Sequence, residues 1–306
     1  MENISHRPFQ HESDYDLMRE LVRQAFALEG PPDYATVGDL DWWRFTEEDP
    51  DKAIQRAELW LNQAGEAVGF VWPNESQADM VSHPDYRKVE AEMLAWCEQW
   101  RRENTPADVN EIVNTIYSYE RDSARNTLLE QSGYTRTQDY TSYRFLRLDD
   151  YADAPVLPEG YTIRAVLSEE EAEARAEVHR SAFTSSKLNG TRLRNVMRSQ
   201  TYRQNLDLVA VAQDGSFAAF CIVWYDEVNR VGVFDPVGCH PDHRRHGLTK
   251  AILKEGLRQL TALGADKAVV VNWWEEEAPP RLYDSVGFRE IGRNYAWTKD
   301  LKVAIR

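Results

Sequence analysis

The sequence has few cysteines and no long apolar run. Cys97, Cys221 and Cys239 are its three cysteines among 306 residues, an odd number without the close spacing of a disulfide scaffold. No stretch approaches the roughly 20 apolar residues that a membrane-spanning helix needs. The first residues also lack the basic-then-apolar order of a secretory signal. We therefore expect a cytoplasmic protein without a disulfide framework and without a membrane partner.

Positive charge is scarce as well. The chain has 36 lysine and arginine residues against 51 aspartate and glutamate residues, a net charge of −15. This balance argues against nucleic acid or an anionic membrane as a partner. An apolar content of 42% with 11% aromatic residues predicts a globular protein. The length suits one large domain or two medium ones, each able to bury a core.

Four blocks of the first half recur in the second half in the same order. The offset is 157 residues for three blocks and 154 for the fourth, which indicates two copies of one fold. We predict domains at residues 1–147 and 161–306, joined by an acidic, proline-containing linker at 148–160. The paired blocks are Arg7–Phe9 and Arg164–Val166, Leu21–Phe26 and Val178–Phe183, His83–Arg87 and His240–Arg244, and Leu128–Tyr134 and Leu282–Phe288.

Each copy is predicted to run in the order strand, long helix, strands, motif helix, strand, helix, strand. Ser168 and Glu171 form a capping-box pattern at the start of one helix of the second copy. The strands of this copy are expected at 161–165, 206–213, 217–225, 230–239, 267–272 and 295–301, with later helices after 247 and over 279–286. In the first copy we expect strands at 57–61 and 68–72 and a helix over 89–102.

One stretch of the second copy, Asp235 to Lys250, combines a strand end, a turn and a helix start. A helix start leaves backbone N–H groups unpaired and carries a partial positive charge. Gly247 lets an anion approach that backbone, and Arg244 and Arg245 add full charges. The residues therefore predict a site for a phosphate-type anion. The pattern is neither the nucleotide-triphosphate loop nor the dinucleotide fingerprint.

The same stretch resembles the Arg/Gln-x-x-Gly-x-Gly/Ala loop of the GNAT superfamily of acyl-CoA N-acyltransferases, read as Arg244-x-x-Gly247-x-Thr249. Thr249 departs from that pattern. The preceding Asp-Pro-Val-x-x-His-Pro-Asp also resembles the family, as does Leu282-Tyr-Asp-Ser-Val-Gly-Phe288. In its tandem arrangement the chain resembles mycothiol synthase, by architecture only.

The resemblance implies an α/β (α+β) protein of two tandem GNAT-like domains, each a mixed, mostly antiparallel central sheet flanked by helices. It implies acetyl-CoA as the donor substrate and no metal. The loop would hold the pyrophosphate of coenzyme A, and the backbone of Val237, Gly238 and Cys239 would pair with the pantetheine arm. The residues expected to bind the donor are Val237, Gly238, Cys239, Arg244, Arg245, His246, Gly247, Leu248, Thr249, Lys250 and Asn272.

Two residues are expected to be catalytic by the same resemblance. Tyr283 would donate a proton to the departing sulfur, since a phenol with a pKa of ~10 stays protonated at neutral pH. Asp235 would be the general base, directly or through water, with Glu275, Glu276 and Glu277 as rivals. Glu276 stands where the family has an asparagine, and Asn272 is the expected substitute.

The first copy departs from the family at the positions that matter for this chemistry. Glu90 and Glu92 stand where the second copy has Gly247 and Thr249, and Leu129 stands where it has Tyr283. A carboxylate in a phosphate pocket would repel the ligand, and leucine cannot transfer a proton. We therefore expect residues 1–147 to be a degenerate, non-catalytic copy and residues 161–306 to be catalytic.

The predicted activity is transfer of an acetyl group to a primary amine of a small molecule by direct attack. A coenzyme A-binding sensor or scaffold without catalysis is the alternative, as is a protein N-acetyltransferase. A zinc site at Cys239, His240, His243 and His246 is disfavoured, because the first copy does not share those ligands. The tryptophan pairs at 42–43 and 273–274 are candidates for the acceptor pocket. Either a monomer or a homodimer is compatible with the sequence.

Overall fold

The computed structural model describes residues 3–31, 34–74, 77–106, 109, 111–149, 151, 153–273 and 278–301. In each half of the described chain the elements run in the order strand, helices, strands, helix, strand, helix, strand. The helices are α1 Glu12–Glu29, α2 Val37–Phe45, α3 Pro50–Ile54, α4 Glu90–Asn104, α5 Ser123–Gln131, α6 Ala172–Ala182, α7 Gly190–Met197, α8 Leu248–Ala262 and α9 Ala278–Val286. The strands are β1 Ser5–Pro8, β2 Glu58–Leu61, β3 Ala67–Pro73, β4 Gln77–Ser82, β5 Val113–Tyr119, β6 Thr135–Arg147, β7 Thr162–Ala165, β8 Asp207–Val211, β9 Phe217–Asp226, β10 Val231–Cys239, β11 Lys267–Trp273 and β12 Arg289–Asp300.

The chain folds into two compact units that exchange segments. Unit 1 consists of residues 1–36, 51–143 and 291–306, and unit 2 of residues 37–50 and 144–290. Helix α2 thus belongs to unit 2 although it lies in the first half of the chain. Most of β12 belongs to unit 1 although it lies in the second half. The compact units therefore differ from the predicted halves of the chain in these two segments. The linker at 148–160 stays a prediction.

The sheet of unit 1 runs in the order β1-β2-β3-β4-β5-β12. Antiparallel pairing joins β1 to β2, β2 to β3 and β3 to β4. The strands β4 and β5 are parallel and pair at Gln77 with Thr115 and at Ala78 with Ile116. The strand β12 pairs antiparallel with β5, with Asn294 opposite Tyr119. This strand begins at Arg289, six residues before its predicted start.

The sheet of unit 2 runs in the order β7-β8-β9-β10-β11 and repeats the pattern of β1 to β5. Antiparallel pairing joins β7 to β8, β8 to β9 and β9 to β10, and β10 and β11 are parallel. The predicted mixed, mostly antiparallel sheet flanked by helices is therefore confirmed. Since an antiparallel hairpin needs only a short turn and a parallel pair needs a crossover, α8 lies between the two parallel strands in sequence.

Helix α8 forms because its apolar residues repeat at helical spacing. Ile252, Leu253, Leu257 and Leu260 are all fully buried in the core of unit 2, where they meet Phe234 of β10. Burial of each such side chain stabilises the fold by roughly 1.5–3 kcal/mol. The packing holds the start of α8 at the end of β10. Among the helices of the described residues, none is both long and apolar enough to cross a bilayer.

The two copies share local structure as well as sequence. Arg7 forms a two-bonded ion pair with Asp14 at 2.7 and 2.8 Å, and Arg164 forms the same pair with Glu171 at 2.7 and 2.8 Å. Glu171 is therefore engaged with Arg164. Two other bonds replace the predicted capping box, because Ser168 accepts from the backbone N–H of Glu170 and Glu171 accepts from that of Leu167.

Candidate active site

Strand β10 separates from β11 halfway along its length. The parallel pairing ends at Phe234 opposite Val270, and residues 237–239 pair with β9 alone. The register shifts between Phe234 and Val237, so Asp235 lies at a bulge. The backbone edge of residues 237–239 that is turned away from β9 is thus not paired with β11. An extended ligand could add to that edge as a further strand does.

The turn after β10 brings a helix start to the same place. A short 3-10 helix at Pro241–His243 is followed by Arg245 at φ 66° and Gly247 at φ 77°, and α8 begins at Leu248. A Cβ atom built on Gly247 would meet no atom within 4 Å, so the space in front of the helix start is open. Both conditions for anion binding, exposed N–H groups and room to approach them, are met.

Two guanidinium groups flank this helix start. Arg244 and Arg245 are exposed, and no carboxylate of the described residues forms an ion pair with either of them. Their charges are therefore available to a ligand. Thr249 and Lys250, in the first turn of α8, face the same space. Together the groups form a positively charged corner on a chain whose net charge is negative.

A cavity of about 630 Å³ joins the strand edge to the helix start. Tyr283 of α9 lines it and is only 5% exposed, with its ring 6.1 Å from that of Phe288. The tyrosine is therefore held by packing at a position that faces the strand edge. The lining residues are Ala182, Phe183, Val237, Gly238, Cys239, His243, Arg244, Arg245, Gly247, Leu248, Thr249, Lys250, Pro279, Leu282 and Tyr283.

Asp235 lies two residues before the cavity-lining part of β10. Its carboxyl group has a pKa raised to about 7, first by burial and then by the negative charge of Asp39. Its backbone is fixed, because the indole N–H of Trp224 donates to the carbonyl of Asp235 at 2.6 Å. A group that titrates near neutrality can accept and release protons at physiological pH.

The sequence of residues 172–288 matches the family model described as the acetyltransferase (GNAT) family. Over these residues the chain is similar to a GNAT domain. No curated protein matches the chain in sequence.

Solved structures resemble nearly the whole chain. A GCN5-related N-acetyltransferase from Sphaerobacter thermophilus is 21% identical at a TM-score of 0.68, and the match covers 98% of this chain and 96% of the other. A tandem GNAT protein from the clavulanic acid biosynthesis pathway is 18% identical at a TM-score of 0.68, covering 98% and 99% of the two chains. At these identities the likeness is one of fold, and it confirms the tandem GNAT architecture.

Ten of the predicted site residues line the cavity: Val237, Gly238, Cys239, Arg244, Arg245, Gly247, Leu248, Thr249, Lys250 and Tyr283. Asp235 is not among the lining residues. His246 is exposed, and its Nδ1 lies 3.1 Å from the carbonyl oxygen of His243. Asn272 is buried away from the cavity, where its Oδ1 accepts a hydrogen bond from Arg144 at 3.2 Å. The hydrogen bond from Arg144 gives Asn272 a structural role. A role of Asn272 in donor binding stays a prediction.

Sequence reasoning missed the apolar wall of the cavity. Ala182 and Phe183 at the end of α6 line it together with Pro279 and Leu282. The repeated Ala-Phe at residues 25–26 and 182–183 was the available signal, but a repeat by itself does not distinguish packing from a site. Of the predicted acceptor residues, Trp273 is exposed. Trp274, Glu275, Glu276 and Glu277 lie outside the described residues.

The cysteine and histidines near the loop have other roles. His240 accepts the backbone N–H of Asp242 at 3.2 Å, as His83 accepts that of Asp85 at 3.2 Å in the first copy. Within the described part of the chain, no group of three or more potential ligands is placed to hold a metal ion. Burial raises the pKa of the Cys239 thiol, which keeps it protonated and poorly nucleophilic.

The corresponding loop of unit 1 contains a carboxylate of its own. Glu90 is buried, and Arg125 binds it through two hydrogen bonds of 2.5 and 3.2 Å. Arg87, at the position of Arg244, lies 3.0 Å from Glu90, and Ser82 donates to the same carboxylate at 2.5 Å. The sequence predicts that Glu90 repels an anionic ligand. The structure shows in addition that the arginines here are already engaged with carboxylates, Arg125 with Glu90 and Arg87 with both Glu90 and Asp122.

Proposed function

We propose that the chain transfers an acetyl group from acetyl-CoA to a primary amine of a small molecule, with one working site in the GNAT domain of its second half. The observation that carries this proposal is that one cavity joins an open strand edge, a helix start with two exposed arginines, and Tyr283. Unit 1 has Glu90 and Leu129 at the positions of Gly247 and Tyr283, so it has neither an open anion loop nor a phenol there.

Two parts of the cavity would bind two different parts of the donor. Arg244, Arg245 and the N–H groups at the start of α8 would hold the pyrophosphate, because they combine full charges with oriented donors. The open edge of residues 237–239 would align the pantetheine arm and place an N–H group near the thioester oxygen. An N–H group in that position stabilises the negative charge that develops on the oxygen during attack.

The reaction needs two proton movements that Asp235 and Tyr283 can perform. Asp235, in its ionised form, takes one proton from the ammonium ion of the acceptor, directly or through water. The free amine attacks the thioester carbon, a C–N bond forms, and the C–S bond breaks. Tyr283 gives its proton to the departing sulfur and recovers one from the nitrogen. The products are the acetylated amine, coenzyme A and protonated Asp235.

The proposal is tested by thermal unfolding with acetyl-CoA. Ligand at ~100 times its dissociation constant stabilises a protein by about 2.7 kcal/mol, which raises the melting temperature measurably. We expect this rise in the wild type and its loss in Gly247→Glu, where a carboxylate enters the open space before α8. A wild type that is not stabilised by acetyl-CoA, or a Gly247→Glu variant that is stabilised equally, contradicts the proposed donor site.

Gly264→Glu is the matched control. Gly264 also has a positive φ, 87°, lies at the other end of α8, and has no atom within 4 Å of a built Cβ. Both substitutions therefore carry a similar backbone cost, about 1–2 kcal/mol. The acetyl-CoA-induced rise in melting temperature is expected to persist in Gly264→Glu. A mass-spectrometric screen of primary amines then tests transfer itself.

A further inference from the structure

Another cavity, of about 440 Å³, lies within unit 1. Helix α5, the first residues of β6 and one residue of β12 supply its lining, and none of them lines the cavity of unit 2. The hydroxyl of Tyr134 is already engaged, because it accepts a hydrogen bond from Asn114 at 2.7 Å. The lining residues are Asn126, Glu130, Tyr134, Thr135, Arg136 and Trp297.

Two of the lining residues carry buried polar atoms without a partner. Trp297 is 4% exposed, and its indole N–H has no hydrogen-bond acceptor among the described residues. The side-chain nitrogen of Asn126 donates to the carbonyls of Tyr119 and Glu120 at 3.2 and 3.3 Å, which fixes the orientation of its amide. Its Oδ1, turned away from those carbonyls, has no donor in the described part of the chain. Buried polar groups are usually paired, so this corner lacks one acceptor and one donor.

Two exposed side chains of opposite charge line the same cavity. Glu130 lies in the last turn of α5, and Arg136 is the second residue of β6. Their charged groups form no ion pair, either with each other or with another of the described residues. The guanidinium of Arg136 is held instead over the ring of Tyr295, 4.6 Å from its centre. Both charges are therefore available to a ligand that carries an ammonium and a carboxylate group.

Unit 2 shows the same corner filled by a side chain of its own. At the offset of 154 residues, Asp284 corresponds to Glu130 and Glu290 to Arg136. Arg144 donates to Asp284 at 2.6 Å and to Glu290 at 3.4 Å. In unit 1 no cation of the described residues takes that place beside Glu130. A cationic group of a ligand can take it.

We propose that this cavity binds a free α-amino acid whose side chain ends in a neutral amide, with L-glutamine as the representative. The α-ammonium group would pair with Glu130 and the α-carboxylate with Arg136. The amide oxygen would accept from the indole of Trp297, and the amide nitrogen would donate to Asn126. Each unpaired group then receives the kind of partner that it lacks. The site is independent of the proposed acetyl transfer, because the two cavities share no residue.

Calorimetry on the wild-type protein tests the proposal without any variant. L-glutamine is compared with L-glutamate, which has nearly the same shape but no amide N–H to donate, and with L-norleucine, whose side chain has no polar end. We expect glutamine to bind at least about tenfold more tightly than either, because each analogue leaves a buried group unpaired. No binding of glutamine at millimolar concentration, or equal binding of all three, overturns the proposal.

Trp297→Phe removes the indole N–H and keeps an aromatic ring. We expect it to weaken the binding of L-glutamine about tenfold. Trp60→Phe is the matched control: Trp60 is a fully buried tryptophan of unit 1 whose indole also has no acceptor among the described residues, but it does not line the cavity. Its replacement should leave the affinity unchanged. Equal affinities in the two variants contradict the role of Trp297, and if Trp297→Phe does not fold, the wild-type comparison decides.

Glu130→Gln tests the contact with the ammonium group. We expect about a tenfold loss of affinity for L-glutamine, against no change in Glu29→Gln, which removes an exposed carboxylate from α1 of the same unit. An unchanged affinity in Glu130→Gln refutes the pairing. The rise in melting temperature caused by acetyl-CoA should persist in Glu130→Gln, so a failure of this proposal is distinct from a failure of the proposed function.

Discussion

Tyr283→Phe is expected to lower kcat by a factor of about 10²–10⁴ while acetyl-CoA binds as before. The substitution removes the hydroxyl group and keeps the ring that packs near Phe288. The departing sulfur then leaves without a proton donor, which affects the transition state but not the bound donor. Steady-state kinetics, together with the acetyl-CoA-induced rise in melting temperature, separates the two effects.

Tyr225→Phe is the matched control for that result. Tyr225 is also a buried tyrosine of unit 2, but its hydroxyl donates to the carbonyl of Leu263 at 3.2 Å and it does not line the cavity. Its loss should cost about 1 kcal/mol of stability and leave kcat unchanged. If Tyr283→Phe turned over as fast as the control, the proton on the sulfur would have to come from elsewhere.

Glu90→Gln is expected to lower the free energy of unfolding by about 3–5 kcal/mol. Arg125 is fully buried, and the substitution removes the negative charge that it binds. A buried cation without its counter-charge is costly, because the protein interior solvates it poorly. Urea denaturation, followed by tryptophan fluorescence and circular dichroism, measures the loss. A change below 1 kcal/mol would show that Asp122 alone compensates Arg125.

The control for this substitution is Glu92→Gln, two residues along α4. The side chain of Glu92 is 57% exposed, and its ion-pair contact is His6 at 3.6 Å. We expect its replacement to change the free energy of unfolding by less than about 0.5 kcal/mol. Both variants lose one negative charge from the same helix turn. The difference between their free energies of unfolding therefore measures the effect of burial of the charge.

The contribution of Glu90 has a defined dependence on pH. Burial alone would raise its pKa, but the charge and hydrogen bonds of Arg125, together with Arg87 and Ser82, lower it overall. A carboxyl group with a lowered pKa stabilises the folded state above its ordinary value of 4.5 and loses that contribution as the pH falls through the folded pKa. The gap in stability between wild type and Glu90→Gln should therefore narrow in acid.

The sequence predicts the strand, turn and helix start of the loop because these parts are contiguous. Strand, turn, Gly247 and the apolar face of α8 all lie within about 25 residues, and local rules of turns and helix starts apply directly. Tyr283 was found by its resemblance to the family segment at 282–288. The loop residues and Tyr283 line one cavity, and their role in donor binding and catalysis stays a prediction.

What the sequence does not predict depends on long-range contacts. From the sequence alone, Glu90 would be assigned as an exposed acidic residue at the start of a helix. In the structure Arg125, 35 residues away, binds its carboxylate. Asn272 looks available at a strand end, but Arg144 from β6 occupies it. Nor does any local signal assign α2 to unit 2, since its contacts with Trp224 and Thr201 arise only in the folded chain.

The exchange of segments makes each compact unit depend on both halves of the chain. Residues 37–50 complete the unit that holds the cavity lined by Tyr283, and residues from 291 onward complete the other unit. A fragment that begins at residue 161 would therefore leave the unit with that cavity without α2, and a fragment that ends at residue 147 would leave the other unit without most of β12.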